Sequence, residues 1–106
     1  MTVVTARLSD ADLVSESERL RPLLSAEGAQ ALLLHLAEEE AVGPCRMSQT
    51  VLYLVLSGQG RLRVESDEVD LQQGTLALVP RDAERTLKAA DPMRVLACLL
   101  YTSDAA

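Results

Sequence analysis

The stretch VLYLVLSGQGRLRV, residues 51–64, decides the fold of this chain. Its first half is an aliphatic run that stops at the SGQG of residues 57–60, and its second half alternates apolar and charged residues. The run Val51–Leu56 is typical of a strand buried on both faces. The alternation over Arg61–Glu65 is typical of a strand with one face in solvent. We therefore predict two strands joined by a two-glycine hairpin turn.

The same pattern of short strands and turns extends from residue 20 to the end of the chain, which predicts an all-β sandwich or barrel. Leu20–Leu24 contains Pro22, which suits an edge strand. Ala31–Ala37 fits a helix or a buried strand by periodicity, and its length favours a strand. Gly43-Pro44 predicts a break in the chain before Cys45. Further strands are predicted at Glu68–Leu71, Thr75–Val79, Arg85–Ala89 and Met93–Tyr101.

With 106 residues the chain is expected to form a single domain. We divide it into a lead-in over residues 1–19, a barrel over residues 20–101 and a tail over residues 102–106. Ser9 and Asp12 have the spacing of a capping box, which allows a short helix within residues 9–20. The apolar positions there form a poor helical stripe, which favours an irregular lead-in instead.

Composition excludes several classes of partner. The net charge of −6 argues against a nucleic-acid backbone. No apolar run approaches the roughly 20 residues that span a bilayer, so we expect no membrane partner. The amino terminus lacks the basic start and apolar stretch of a secretory signal. Two cysteines form no disulfide framework, so we expect a cytoplasmic protein.

Three segments together resemble the cupin family of small β-barrels, over roughly residues 30–100. VLYLVLSGQGRLRV resembles the family's central hairpin, GTLALVP (Gly74–Pro80) its second-motif strand, and MRVLACLL (Met93–Leu100) its closing strand. Gly74 follows Gly60 by fourteen residues and Pro80 follows Gly74 by six. The resemblance implies an RmlC-like double-stranded β-helix, which is a jelly-roll barrel.

The resemblance also implies a metal site, whose usual ligands are missing here. The family's two histidines fall on Cys45 and Met47, its carboxylate on Val51 and its last histidine on Arg85. Valine has no ligating atom, and a guanidinium has no lone pair to offer. We therefore expect neither a metal nor another cofactor. As an alternative, Cys45 and Met47 are soft ligands that suit Cu(I), with Cys98 as a third, although such residues are more often ordinary apolar lining.

Arg85 is the most informative of these substitutions. If its side chain points into the barrel, as the family's histidine does, a buried cation needs a partner. It would then be a good clamp for a carboxylate or a phosphate. In the alternative interpretation Arg85 extends to the barrel mouth or pairs with Glu84 or another acid.

Two further residues complete the candidate ligand cavity. Tyr53 has the same parity as Val51, so it is expected to form an aromatic wall with a polar hydroxyl. His35 is the only histidine and lies in an apolar strand, where a histidine is more often a hydrogen-bonded structural residue than a catalyst. The cavity candidates are Cys45, Met47, Val51, Tyr53, Arg85 and His35.

The leucines at positions 52, 54 and 56 take the other face of their strand and should not remain in contact with water. The resemblance implies that a neighbouring sheet or a second protomer covers them, so we predict a homodimer.

Two classes of function remain. The first is a metal-free module that binds or senses an unknown small molecule, for which an organic anion is a candidate. The second is an enzyme with a non-standard site, either an isomerase or epimerase, or a metal-dependent oxygenase-like protein. Val51 and Arg85 argue against the oxygenase, and the missing second-motif histidine argues against a histidine-based epimerase. The binding module is favoured by elimination.

Overall fold

The computed structural model describes residues 3–8 and 19–101, and in that part of the chain it contains nine strands and no helix. The strands are β1 (Leu20–Ala26), β2 (Ala29–Leu36), β3 (Ala41–Cys45), β4 (Thr50–Ser57), β5 (Gln59–Val64), β6 (Asp67–Gln72), β7 (Leu76–Val79), β8 (Arg85–Ala89) and β9 (Met93–Leu100). The all-β prediction is confirmed. The choice between a helix and an irregular lead-in at residues 9–18, and the predicted tail, lie outside the described residues. Within them, no helix is long and apolar enough to span a membrane.

The strands form two antiparallel sheets. One has five strands in the order β1-β2-β9-β4-β7, and the other has four in the order β3-β8-β5-β6. β1 lies at the edge of its sheet, and its register with β2 shifts between Pro22 and Leu24, as expected where a proline cannot donate a ladder hydrogen bond. Among the nine described strands, β1–β2 and β5–β6 are the pairs that follow each other in the chain and also pair in a sheet. The remaining connections cross over, which produces the jelly-roll arrangement.

The SGQG stretch is a corner between the two sheets, so the predicted hairpin is wrong. β4 pairs with β7 and β9, whereas β5 pairs with β6 and β8. Gly58 has a φ of +82°, and a Cβ there would collide with the Pro92 carbonyl oxygen and lie 2.6 Å from Met93 Cα. A Cβ on Gly60 would collide with the Lys88 carbonyl oxygen. The glycines therefore allow the chain to change sheets directly over Met93.

The core lies between the sheets and is almost entirely aliphatic. β4 supplies Val51 and Val55, each 1% exposed, from one face, while the leucines at positions 52, 54 and 56 on its other face are only half-buried. The expectation that this strand is buried on both faces is therefore wrong for the isolated chain. The core consists of Leu34, Leu36, Val51, Tyr53, Val55, Leu62, Leu71, Val79, Leu87, Ala89, Met93, Val95, Ala97 and Leu99. Full burial of one such valine or leucine contributes about 1.5–3 kcal/mol.

Gly43-Pro44 lies inside β3, so the predicted break is a bulge. The peptide bond between these residues is cis, and the register with β8 shifts between Val42 and Cys45. Val42 lies opposite Leu87, and Cys45 lies opposite Arg85. Because the bulge adds one residue to β3, Val42 and Cys45 share the inward-facing side of the ladder despite their odd spacing.

Candidate functional site

Four of the six predicted cavity residues, Cys45, Met47, Val51 and Arg85, lie at one end of the barrel, which we call the Arg85 end. Cys45 of β3 lies opposite Arg85 of β8 in the smaller sheet. Val51 lies opposite Val79 in the larger sheet, and Pro80, the residue after Val79, accepts a hydrogen bond from Arg85. The sheets thus bring together positions that are distant in the chain.

The loop of residues 80–84 covers the Arg85 end and is fastened to the segment that contains Met47. The backbone N–H of Asp82 donates to the Met47 carbonyl oxygen at 2.7 Å. Arg46 Nη1 donates to the Asp82 carbonyl oxygen, also at 2.7 Å. The Met47 side chain packs against the barrel core. The loop and this segment therefore form one hydrogen-bonded cover.

The guanidinium of Arg85 is buried and poorly satisfied. The residue is 2% exposed. Nε donates to the Ala83 carbonyl oxygen at 3.4 Å, and Nη2 donates to the carbonyl oxygens of Ala83 at 3.2 Å and Pro80 at 3.4 Å. Charge-assisted hydrogen bonds are normally about 2.7–2.9 Å long. Nη1 is buried without any hydrogen-bond partner.

No carboxylate among the described residues forms an ion pair with Arg85. Glu84, one of the two alternatives predicted for it, instead pairs with Arg46 Nη2 at 3.7 Å. Exposure of the head group, the other alternative, is also not observed. The side chain lies inside the barrel, and its acceptors in the described part of the chain are backbone carbonyl oxygens.

The predicted aliphatic cavity is filled by its own side chains. Val51 is 1% exposed, Val79 is 0% exposed and Tyr53 is 6% exposed. A residue that lined a water-filled space would keep accessible surface, so these residues pack against protein. Cys45 and Met47 are half-buried, and they connect the interior of the Arg85 end to its surface.

His35 lies on the other face of its strand, so its placement among the cavity residues is wrong. Its neighbours Leu34 and Leu36 belong to the core, and His35 lies opposite Arg94 in the β2–β9 register. The residue is buried, and its backbone N–H donates to the Arg19 carbonyl oxygen at 2.8 Å.

Cys98 is likewise on the outer face, opposite Ala31 of β2 and Leu52 of β4. It cannot join Cys45 as a third sulfur ligand, so the alternative Cu(I) set is not assembled. The described residues also contain no group of three or more His, Cys, Asp or Glu placed to share a metal ion.

The metal implied by the family resemblance does not fit the Arg85 end. Of the four side chains at the corresponding positions, Val51 has no donor atom and Arg85 carries a positive charge into the interior. Cys45 and Met47 supply only two sulfur atoms, beside a cation that repels another cation. The donors present do not match the nitrogen and oxygen ligands of a first-row catalytic metal.

Three parts of this end were not predicted from the sequence: the carbonyl oxygens of Pro80 and Ala83, and the role of Arg46 in fastening the loop. Backbone carbonyls carry no sequence signal, because every residue has one. A surface cleft of about 310 Å³ adjoins the site and is lined by Pro44, Arg63, Glu65, Glu84, Arg85 and Thr86.

A second cleft, of about 380 Å³, includes Arg61 on the outer face of the smaller sheet. Arg61 pairs with Glu68 at 2.9 Å and with Asp70 at 3.1 Å. The hydrogen bond to Glu68 and the charges of Asp70 and Glu68 raise the pKa of Arg61. This cation is exposed and already has its anions, whereas Arg85 is buried and has none among the residues that the structure describes.

The architecture is similar to that of several solved structures. An RmlC-like cupin from Methanocaldococcus jannaschii with a double-stranded β-helix fold is 12% identical, with a TM-score of 0.79 over 95% of this chain and 93% of that chain. KdgF from a Halomonas species is 13% identical, with a TM-score of 0.79 over 97% of both chains. A cupin superfamily protein from Desulfitobacterium hafniense is 20% identical, with a TM-score of 0.74 over 78% of this chain and 76% of that chain.

No protein-family model matches the sequence, and no curated protein matches it. At the identities above, the structural likeness shows the fold. The chain has the cupin-type double-stranded β-helix that the sequence predicted.

Proposed function

We propose that this chain, which has the cupin fold, is a metal-free module that binds or senses a small organic molecule. The observation that carries the proposal is the buried guanidinium of Arg85 at the end of the barrel where the resemblance expects a metal site. A fixed side-chain cation at this place suits recognition of a ligand better than it suits metal catalysis.

The surroundings of Arg85 favour a ligand with one polar end and one apolar end. The side chains at this end of the barrel are mostly aliphatic or sulfur-containing, with Val51, Val79, Cys45 and Met47 among them. Val51 and Val79 already pack against protein, so the half-buried Cys45 and Met47 would contact the apolar atoms of a ligand while the guanidinium binds its polar group. An organic anion combines the two, and it enters where Cys45 and Met47 reach the surface.

An enzyme with a non-standard site is the alternative, and the position of His35 weakens it. Isomerases and epimerases of the histidine-dependent kind need an imidazole at the substrate. The chain has one histidine, and it lies on the face of β2 opposite to the core. A binding role needs no such base.

The proposal includes a homodimer, supported by the outer face of the five-stranded sheet. The register places Leu54 beside Leu76 and Leu52 beside Leu78. Leu76 is 63% exposed and Leu78 is 64% exposed, while Ala31 and Leu33 on the same face are buried. The open part of the face is therefore aliphatic and uncharged, and a second copy offers the same surface in a two-fold arrangement.

Elemental analysis and ligand screening test the proposal together. The protein is expressed in medium that contains iron, manganese, nickel, zinc and copper, and its metal content is measured after gel filtration without chelator. We expect substoichiometric amounts of each metal and a rise in melting temperature with at least one small organic compound. Stoichiometric metal that survives gel filtration would contradict the metal-free part of the proposal.

A further inference from the structure

We infer that the Arg85 end is an oxyanion site and that its ligand is a small monocarboxylate held by the guanidinium edge that contains Nη1. This inference rests on the proposed binding function and specifies its ligand class. It follows from one buried cation, three long hydrogen bonds and one buried N–H group without a partner.

The charge of Arg85 is the first reason to expect an anion. A guanidinium keeps its positive charge in proteins, and burial of a charge without a counter-ion is unfavourable. No described carboxylate pairs with it, and the nearby acids Glu65 and Glu84 contact Arg46 instead, at 3.5 and 3.7 Å. The interior of this end therefore holds one uncompensated positive charge.

The hydrogen-bond geometry is the second reason. The bonds to Pro80 and Ala83 measure 3.2–3.4 Å, whereas a carboxylate accepts two parallel bonds from a guanidinium at about 2.7–2.9 Å. A carboxylate on the edge formed by Nη1 and Nη2 gives Nη1 the partner that it lacks. It also replaces the long Nη2 bond to the Pro80 carbonyl oxygen with a shorter bond to an ion, while Ala83 keeps its bonds on the Nε–Nη2 edge.

The number of charges limits the ligand to one carboxylate. Arg85 is the only Lys or Arg among the described residues at this end that is buried; Arg46 and Arg63 are exposed on its outside. A dianion such as phosphate would bring a second negative charge beside Val51 and Val79, where the described residues place no second buried cation to balance it. A monocarboxylate matches the single cation, and its aliphatic or aromatic tail would extend past the half-buried Cys45 and Met47 toward the surface.

The loop of residues 80–84 has to move for the ligand to reach Nη1. It is mostly exposed, and its inward side is held by the bonds from Asp82 N–H to Met47 and from Arg46 to the Asp82 carbonyl oxygen. The same loop supplies both carbonyl oxygens that contact Arg85. An incoming carboxylate therefore competes directly with the loop for the guanidinium.

Titration calorimetry and thermal unfolding with matched ligands test the inference. Acetate, propionate and benzoate are each compared with their neutral amides and with inorganic phosphate, on wild type, Arg85→Gln and the control Lys88→Gln. Lys88 lies opposite Arg61 on the outer face of the same sheet and does not line the cleft beside Arg85, so its loss changes net charge without touching the site. We expect at least one carboxylate to bind wild type and the control, and to bind Arg85→Gln about tenfold more weakly or not at all.

The possible results distinguish failure of the oxyanion site from failure of the proposed binding function. If a neutral amide binds both wild type and Arg85→Gln with the same affinity as the corresponding acid, the oxyanion site is overturned. The proposed binding function would still stand in that case. Phosphate that binds more tightly than every carboxylate overturns the monocarboxylate class. Failure of all these compounds to bind wild type overturns the inference, whereas the proposed function fails only if a wider neutral library also gives no ligand.

A measurement on wild type alone covers the case in which Arg85→Gln does not fold. In ¹⁵N-labelled protein we expect the carboxylate to shift the backbone amide signals of Arg81 and Ala83, because the first shares the peptide bond of the Pro80 carbonyl that Arg85 releases and the second donates to that carbonyl. Saturable carboxylate binding that leaves these two signals unchanged places the anion elsewhere and overturns the inference.

Discussion

Cys45 and Arg85 lie directly opposite each other in the β3–β8 ladder, three residues beyond Val42 on one strand and two residues before Leu87 on the other. The extra residue belongs to the bulge at Gly43-Pro44. Without it, Cys45 would turn to the outer face, and the Arg85 end would lose one of its half-buried walls. A local irregularity in one strand thus determines which side chains surround the buried cation.

Replacement of Arg85 by methionine should preserve or increase stability in the absence of ligand. A buried charge without a counter-ion opposes folding, and replacement of buried ionic groups by apolar residues of similar size is often neutral or stabilising by about 1–4 kcal/mol. Urea unfolding measures the effect. Arg61→Met is the control, because that arginine is exposed and has two acidic partners. A loss of several kcal/mol for Arg85→Met alone would show that the carbonyl bonds satisfy the cation after all.

Alanine at Gly58 should destabilise the fold far more than alanine at Gly74. Both glycines have positive φ, 82° and 88°, so both substitutions carry the left-handed backbone cost of about 1–2 kcal/mol. Only at Gly58 does the new Cβ meet backbone, at Pro92 and Met93; at Gly74 nothing lies within 4 Å. We expect Gly58→Ala to exceed Gly74→Ala by more than about 1 kcal/mol in chemical unfolding. Equal losses of unfolding free energy in the two variants would mean that the backbone around Gly58 moves away from the new Cβ at little energetic cost.

Glutamate at Leu78 should dissociate the proposed homodimer. Leu78 is 64% exposed on the outer face beside Leu52, and a carboxylate buried in the proposed apolar interface would have no partner. Light scattering after size-exclusion chromatography should show a dimer for wild type and a monomer for Leu78→Glu. Val69→Glu, at a 46% exposed position on β6 of the other sheet, should stay dimeric. A monomeric wild type at high micromolar concentration would refute the dimer.

Removal of the Arg46 side chain should loosen the loop over Arg85 while it costs little stability. Arg46 is exposed, and surface ion pairs such as those with Glu65 and Glu84 contribute about 0–1 kcal/mol each. Its bond to the Asp82 carbonyl oxygen, however, holds the cover in place. In Arg46→Gln we expect faster hydrogen exchange at the Asp82 amide, and unchanged exchange in Lys88→Gln, which breaks a surface pair with Glu39 elsewhere. If the Asp82 amide exchanges at the same rate in both variants, the hydrogen bond from Asp82 to Met47 is sufficient to hold the loop, and Arg46 is not needed.

The sequence predicted the strands well, because alternation and turn residues report directly on which face of a strand is buried. Parity put Val51 and Tyr53 on the same face, and the family resemblance supplied the inward direction of that face; both residues lie in the core. It could not show that β4 and β5 belong to different sheets, because a Gly-x-Gly stretch suits a hairpin and a corner alike.

The errors at the site have equally local causes. Alternation within β2 places His35 and Leu34 on opposite faces of the strand. Because both faces carry apolar residues, the sequence does not show which face is directed inward. Cys98 has the same ambiguity in β9. The partners of Arg85 are backbone oxygens, so the composition of residues 80–84 gave no indication of them.

Arg85 places a positive charge inside the barrel by a covalent bond to the chain, at a position where the family resemblance expects a ligand of an exchangeable ion. A charge of this kind does not have to be inserted after folding, and it does not change by oxidation or reduction as that of a metal ion can. It is also present at the same stoichiometry in every molecule as soon as the chain has folded. The affinity of the proposed binding would accordingly not change with chelators or with the supply of trace elements. The charge on which it depends is set by the amino-acid sequence.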